Sequence, residues 1–482
     1  MGESTLKEKT SRGLFWGGMS SFLQQLLSAA FGIYLARTLS PDDYGMVGML
    51  TIFTMLSMVL QEGGFTSALI NRKEIRHEDY NSVFWFSLLI SIACYLVLFL
   101  CAPLIARFYH HPELVKLSRW NFLGIVLTGF GISHRAYLTK HLRVKEIAMV
   151  TITAVAISGS IGVYLAWKGY AYWTLVIQAL ILTGLTNAGL CAFSGWRPTF
   201  HIDFGPVKEM LRYSIKLIVT SILSILSSNL ITVILGRFYS AVRVGYYTQA
   251  NKWNVMGTTS LTGMINSVAQ PVLVEAVEDR PRQLNIFRKL IRFTAFVAFP
   301  AMLGLGFIAP EFITVALTDK WADSIVLLQI LCIGGAFLPI STVCSNLVLS
   351  RGHSGQYMWA NIILLAVTLG LIYLLFPYGV TSMVVGITVA NVLWLAIWLF
   401  FLWKELGYTL LKMLKDLLPF LGATALSIAA AWLLTKSVSN IYILLCAKIL
   451  ITAALYALIL WVSRAAIFRE SIQMLLAMIK KK

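Results

Sequence analysis

The chain has 482 residues, of which 58% are hydrophobic and 12% charged, with a mean hydropathy of +0.77. A soluble globular chain is about one quarter charged, so this composition excludes an ordinary soluble domain and points to an all-α integral membrane protein. The net charge of +18 would suggest nucleic acid in a soluble protein. Here the basic residues fall between apolar runs, where they set orientation and meet anionic lipid, and no nucleic-acid-binding signature is present.

From the start of the chain, Met1 to Thr10 is short and polar. The apolar segment behind it is too long for a signal-peptide core and lacks an A-x-A-like cleavage site, so it reads as an uncleaved first span. Runs of about 20 apolar residues, each enough for a ~30 Å hydrocarbon core, predict 14 spans at 13–36, 44–61, 82–108, 115–138, 147–167, 170–193, 211–236, 244–269, 290–314, 324–349, 355–376, 379–403, 417–435 and 441–463. The eighth is the least apolar, and the ninth and tenth are interrupted by Pro310 and Pro339. The longest polar connections, 62–81, 194–210 and 270–289, hold amphipathic stretches such as Val207 to Arg212, expected to lie in the membrane interface. With the N-terminus in the cytoplasm, 27 Lys and Arg fall on cytoplasmic segments and nine outside. This bias predicts both termini inside. The six cysteines lie in or beside apolar runs without a CxxC pair, and the seven histidines show no metal-binding spacing, so neither a metal nor a cofactor is expected.

An internal repeat organises the spans. Arg37, Ser40 and Gly45 recur as Arg237, Ser240 and Gly245, an offset of 200, which also aligns Arg12 with Arg212, Ser21 with Ser221, Gly63 with Gly263 and Ser67 with Ser267. The repeat begins at the first and seventh spans, so the unit is six helices, and both halves enter the membrane in the same direction. The expected organisation is two pseudo-symmetric six-helix lobes, 1–200 and 201–403, followed by 404–482 with two further helices and a basic tail. Such parallel repeats place a cavity between lobes and work by alternating access.

The stretch RGLFWGGMSSFLQQLLSAAFGIYLARTLSPDDYGMVGMLTIF resembles the start of bacterial polysaccharide transporters, the oligosaccharide flippases of the multidrug/oligosaccharidyl-lipid/polysaccharide (MOP) exporter superfamily. QEGGFTSALINRKE (Gln61 to Glu74) and the basic turn AYLTKHLRVKEIAMV (Ala136 to Val150) carry the same resemblance. It implies two six-helix lobes, two extra C-terminal helices, and export of undecaprenyl-diphosphate-linked oligosaccharide, a capsule, O-antigen or exopolysaccharide repeat unit, to the outer leaflet of the bacterial inner membrane. The implied partners are the lipid-linked oligosaccharide, membrane lipids, and the polymerase and glycosyltransferases of the pathway.

Carrying a diphosphate and sugars across hydrocarbon calls for a polar, cationic path. Lys252 is the sharpest candidate, about eight residues or ~12 Å into the eighth span. Gln249, Lys252, Met256, Thr259, Gly263, Asn266 and Gln270 share one helix face, expected to line a cavity; the bland alternative is a snorkelling lysine with polar packing. Lys216, Arg12 and Arg212 sit at cytoplasmic ends, where they either meet the diphosphate or act as positive-inside anchors. Gln24, on the first span with Gln25 and Ser28, either bonds sugar hydroxyls or joins helices. Arg37 and Arg237 occupy repeat-equivalent outer ends and are candidate gate residues with Asp42 or Asp43, or else helix caps. Acids deep in the spans look scarce; Glu62 is the nearest and is the candidate for ion coupling. Lys448 reads as a snorkelling residue or as the lining of a lipid-tail groove.

Rival readings are a peptidoglycan-precursor flippase and a multidrug or cation antiporter of the same superfamily. The antiporter normally uses an acidic cavity, against the cationic residues here. From another class, a polysaccharide polymerase or ligase needs a sizeable outside loop and a catalytic constellation, and neither is present in the sequence. The chain therefore reads as a transporter and not an enzyme.

Overall fold

In the computed structural model the chain is helical without a strand among the residues described, which are 3–65, 69, 75–200, 203–465, 467–470 and 473. Arg72, Lys73 and the basic tail Lys480 to Lys482 lie outside the described residues. Fourteen long helices follow one another: α1 (Glu3–Thr38), α2 (Pro41–Glu62), α3 (His77–Tyr109), α4 (Leu114–Lys140), α5 (Val144–Trp167), α6 (Tyr172–Ser194), α7 (Gly205–Phe238), α8 (Ala241–Glu275), α9 (Arg280–Leu317), α10 (Asp323–Ser350), α11 (Ser354–Leu375), α12 (Val380–Leu406), α13 (Leu410–Thr435) and α14 (Ile441–Val462). Each carries one predicted span. Eleven are long and apolar enough to cross a membrane; α1, α4 and α8 fall short on composition because polar residues break their apolar runs. Many large apolar side chains on the helices face outward, such as Leu100, Tyr373 and Leu450, as lipid contact requires. The chain is a multi-pass integral membrane protein.

One sequence expectation changes. Pro310 and Pro339 do not interrupt their spans: α9 and α10 run through them, and the Gly306 carbonyl, four residues before Pro310, accepts from Gln329 Nε2 of α10 at 3.4 Å. Val207 to Arg212 forms the opening of α7, where Val207 and Met210 are buried in a core cluster.

The fold divides into two compact units, Met1–Gly245 and Tyr246–Lys482. In the first, α3 packs on α4, α4 on α6, α1 on α5, and α7 against α2 and α3. Small residues set the closest approaches. A Cβ on Gly45 would collide with the Ala241 carbonyl oxygen, and one on Gly245 with that of Pro41. These two crossings are related by the same offset of 200 that the sequence repeat shows. Ser40 and Asp43 form a reciprocal capping box at the start of α2, which commits Asp43 to the helix end. At one end of this unit, Phe65, Tyr80, Val83, Phe84, Leu88, Ile132, Ala136 and Trp196 join Val207 and Met210 in an aromatic-rich core.

In the second unit, α9 is the hub, packed on α10, α13 and α14. Its cationic end is tied to α13: Arg288 donates from Nε and Nη2 to the two oxygens of Asp416 at 2.8 and 2.9 Å, and Arg292 Nε donates to Oδ1 at 2.6 Å. Tyr408 Oη adds a hydrogen bond to Asp416 Oδ2 at 3.1 Å; burial, then the neighbouring carboxylate, pushes that phenol above its ordinary pKa. Toward the other end, Lys448 on α14 meets Glu311 on α9 at 2.6 Å. Between the two clamps Tyr456 Oη donates to the Phe296 carbonyl at 2.9 Å. The last two helices lie outside the sequence repeat, yet they are fastened to α9 along its length.

Candidate functional site

α8 concentrates unsatisfied polarity. Its first turns carry Thr248, Gln249, Trp253 and Asn254, whose side chains all have buried polar atoms lacking a hydrogen-bond partner among the described residues: Thr248 Oγ1, both amide atoms of Gln249, Trp253 Nε1 and Asn254 Oδ1. Gln249 is completely buried. An unpaired buried amide or hydroxyl costs about 1–3 kcal/mol, so such a cluster calls for water or a ligand group as partner. Packing holds the segment in place. Trp253 meets Phe312 of α9 edge-on at 4.9 Å, and Gly257 lies against Met302. Asn254 lies so close to Gly335 of α10 that a Cβ there would clash with its amide oxygen.

Lys252 lies within this segment, half-buried, with no ion pair or hydrogen bond among the described residues. A charge held in a span without a counter-ion needs compensation from solvent or an anionic ligand. The predicted stripe does not share one environment along its length. Exposure rises from buried Gln249 through half-buried Lys252 and Met256 to exposed Thr259, Gly263 and Asn266. Asn266 is nonetheless engaged, since its Oδ1 accepts from Asn346 Nδ2 of α10 at 2.8 Å. The side chain of Gln270 lies outside the described residues. Thr248, Trp253 and Asn254 were not singled out from sequence because they fall off the chosen face; their polarity on both sides of Lys252 was the available signal.

The other sequence candidates are dispersed. Gln24 is half-buried on α1, and the side chains of Arg12, Arg212 and Lys216 lie outside the described residues. Arg237 donates from Nη1 to the Phe108 carbonyl at 2.6 Å and is bonded to His110 Nε2, with its guanidinium 5.3 Å from the Phe108 ring. Arg37 is exposed and has an interaction partner of its own. Glu62 is exposed where α2 ends at the left-handed Gly63; its neighbour Gln61 is the buried residue, accepting from Ser91 Oγ at 2.6 Å.

Two acids inside helices correct the expectation that membrane carboxylates are nearly absent. Glu311, near the end of the ninth predicted span, is 8% exposed, and Asp416, one residue before the thirteenth, is 1% exposed. Glu311 lies within the ninth predicted span itself, whereas Asp416 is helical because α13 begins before the predicted start of its span. Lys448 does not snorkel: it is 8% exposed, pairs with Glu311, and stands 4.5 Å from the centre of the Phe307 ring. Among the atoms of this pair, Glu311 Oε2 has no partner among the described residues.

Comparison with known proteins adds identity to this geometry. The family described as polysaccharide biosynthesis protein matches residues 34–326. The chain is 27% identical over 356 residues to the lipopolysaccharide biosynthesis protein WzxC of Escherichia coli K12, covering 72% of this chain and 71% of that one. It is 25% identical over 435 residues to the succinoglycan biosynthesis transport protein ExoT of Rhizobium meliloti, covering 88% and 84%. Among solved structures, the lipid II flippase MurJ in an inward closed conformation superposes with a TM-score of 0.78 at 16% identity, over 95% of this chain and 99% of that one, a likeness of fold. The chain belongs to the polysaccharide biosynthesis protein family.

Proposed function

We propose that this protein translocates an undecaprenyl-diphosphate-linked oligosaccharide, the repeat unit of a capsule, O-antigen or exopolysaccharide, from the cytoplasmic to the outer leaflet by alternating access. The observation that carries the reading is Lys252, a cation held half-buried in α8 with no counter-ion among the described residues and flanked by buried polar atoms that lack partners among them. That surround suits a diphosphate with neighbouring sugar hydroxyls. It does not suit the organic cation of a drug antiporter, which an acidic lining would attract. The names of WzxC and ExoT, both from polysaccharide pathways, favour a glycan repeat unit over a peptidoglycan precursor. Neither name describes a polymerase or ligase.

The rest of the mechanism is assigned on sequence grounds. Lys252, Gln249, Thr259 and Asn266 contact the head group; Arg12, Arg212, Lys216 and Gln24 receive it at the cytoplasmic mouth; Arg37 and Arg237 hold the outer gate; Glu62 is a coupling carboxylate. The working lobes are 1–200 and 201–403, with 404–482 appended. The proposed location is the bacterial inner membrane, beside the polymerase and glycosyltransferases of its pathway, with both termini in the cytoplasm, an orientation that the charge bias supports. The test is a deletion strain complemented with the wild-type or altered gene. The reading expects lipid-linked oligosaccharide to accumulate on the inner leaflet of the deletion strain and to be cleared by the wild type but not by Lys252→Ala. Single repeat units accumulating on the outer leaflet would instead indicate a block in polymerisation and defeat it.

A further inference from the structure

The first unit contains a pocket that shares no residue with the α8 stripe. It has a volume of about 620 Å³ and is lined by Ile75, His77, Tyr80, Tyr137, Lys140, His141, Gly195, Trp196, Arg197 and Thr199. That size lies within the ~300–1,000 Å³ of small-molecule sites. The lining comes from the first turn of α3, the last turn of α4 and the residues after α6, so the pocket lies where three helices end, at one membrane face. Its wall includes two cations, Lys140 and Arg197, and two imidazoles, with no carboxylate among the described lining residues.

The floor is built and rigid. Tyr80 and Trp196 are 4% and 5% exposed and belong to the aromatic core of this unit. Gly195 takes a φ of 70°, which turns the chain out of α6 and brings Trp196 back against α3 and α4. Trp196 Nε1 donates to His77 Nδ1 at 3.1 Å, which puts the proton of a neutral His77 on Nε2 as a remaining donor. Trp85 Nε1 donates to the Thr199 carbonyl at 2.7 Å, and the Thr199 amide donates to Asn81 Oδ1 at 2.8 Å, pinning the irregular segment on which Arg197 sits. Arg197 is anchored through Nη1 to the Cys191 carbonyl at 2.7 Å, and its Nε and Nη2 make no hydrogen bond among the described residues. Rings run along the pocket: His141 stacks on Tyr137 at 4.1 Å, Tyr137 meets Tyr80 at 5.4 Å, and Tyr80 meets Trp196 at 6.1 Å.

We propose that this pocket binds a glycosyl diphosphate, with the anion held by Arg197 and Lys140 and the sugar laid against the aromatic row. Arginine supplies a planar fork matched to phosphate oxygens, lysine a mobile point charge. The C–H face of a pyranose ring packs on aromatic faces, while an all-acceptor anion meets no carboxylate among the described lining residues. Resting on the flippase reading, the pocket is a reception site where the lipid-linked head group is held at the membrane face before it crosses. A nucleotide sugar offers the same glycosyl diphosphate from solution, so the two sources need separate arms.

The experiment uses the full chain in lipid nanodiscs. One arm titrates UDP-glucose and inorganic pyrophosphate from solution; the other places undecaprenyl-diphosphoglucose in the nanodisc bilayer and measures its retention on the protein. Wild type should hold the lipid-borne head group saturably, with pyrophosphate competing. Arg197→Gln and Lys140→Gln should each weaken retention about tenfold, the loss of one charge-assisted contact. Tyr137→Leu, which keeps both cations, should weaken retention of the glycosylated lipid more than binding of pyrophosphate. Unchanged retention in both charge variants would overturn the site, as would strong UDP-glucose binding with no retention of the lipid. Flipping of the same lipid by wild type in liposomes is scored in parallel. Flipping without retention at Arg197 and Lys140 defeats only the pocket, whereas retention without flipping defeats only the transport reading.

Discussion

α8 and α9 lie side by side in the second unit, and both carry charge inside the membrane, with opposite outcomes. On α9 the charged groups named above are answered: Arg288 and Arg292 by Asp416, and Glu311 by Lys448. On α8, Lys252 has no counter-ion among the described residues, and its neighbours hold buried polar atoms with no partner. In a low-dielectric medium an unpaired charge is costly, so pairing is the expected result where charge serves architecture. Polarity left unsatisfied in the same medium marks a place kept for something that comes and goes.

The comparison can be broken from either side. The largest effect should come from Lys448→Met, which leaves Glu311 ionised and unpaired or forces it to take a proton; thermal unfolding of the purified protein should show a loss of about 3–5 kcal/mol. A loss no greater than that of an exposed lysine would remove the pair from the architecture. The double variant Glu311→Leu with Lys448→Met should recover most of this, to within about 1 kcal/mol of wild type, because hydrophobic replacement of a buried pair is close to neutral. If the double variant is as unstable as the single one, the pair is doing something other than cancelling charge.

On α8 the order reverses, with function lost and stability kept. Lys252→Ala should cut glycan export about tenfold or more while thermal stability stays within about 0.5 kcal/mol, since no partner is orphaned. A large destabilisation would mean that Lys252 has a structural partner after all. The smallest expected change is Gln249→Leu, which removes two unsatisfied amide atoms at similar volume. It should stabilise the protein by about 1 kcal/mol and still reduce export, measured on the same preparations.

The span register was legible because hydropathy reports it directly: a helix must satisfy its own backbone in lipid, and its length follows the bilayer. All fourteen predicted spans coincide with helices, although their ends differ by several residues. Those few residues hid chemistry. Asp416 fell just outside a predicted end, and the cluster it forms with Arg288 and Arg292 joins residues 128 and 124 positions apart. The α8 stripe was readable as a 3.6-residue period, but its gradient of burial was not, because burial depends on which neighbours α8 meets along its length.

By itself the sequence determined the membrane class, the number of helices, the 200-residue repeat and the family, all properties of local hydropathy and residue order. Tertiary structure alone decided which polar residues are partners. Lys448 is paired and Lys252 has no partner among the described residues, although both are lone lysines in apolar runs; the difference is Glu311, 137 residues from Lys448 in the chain and 2.6 Å away in space. Electrostatic cost inside a membrane is settled by distance between side chains, and that distance exists only after the helices have packed.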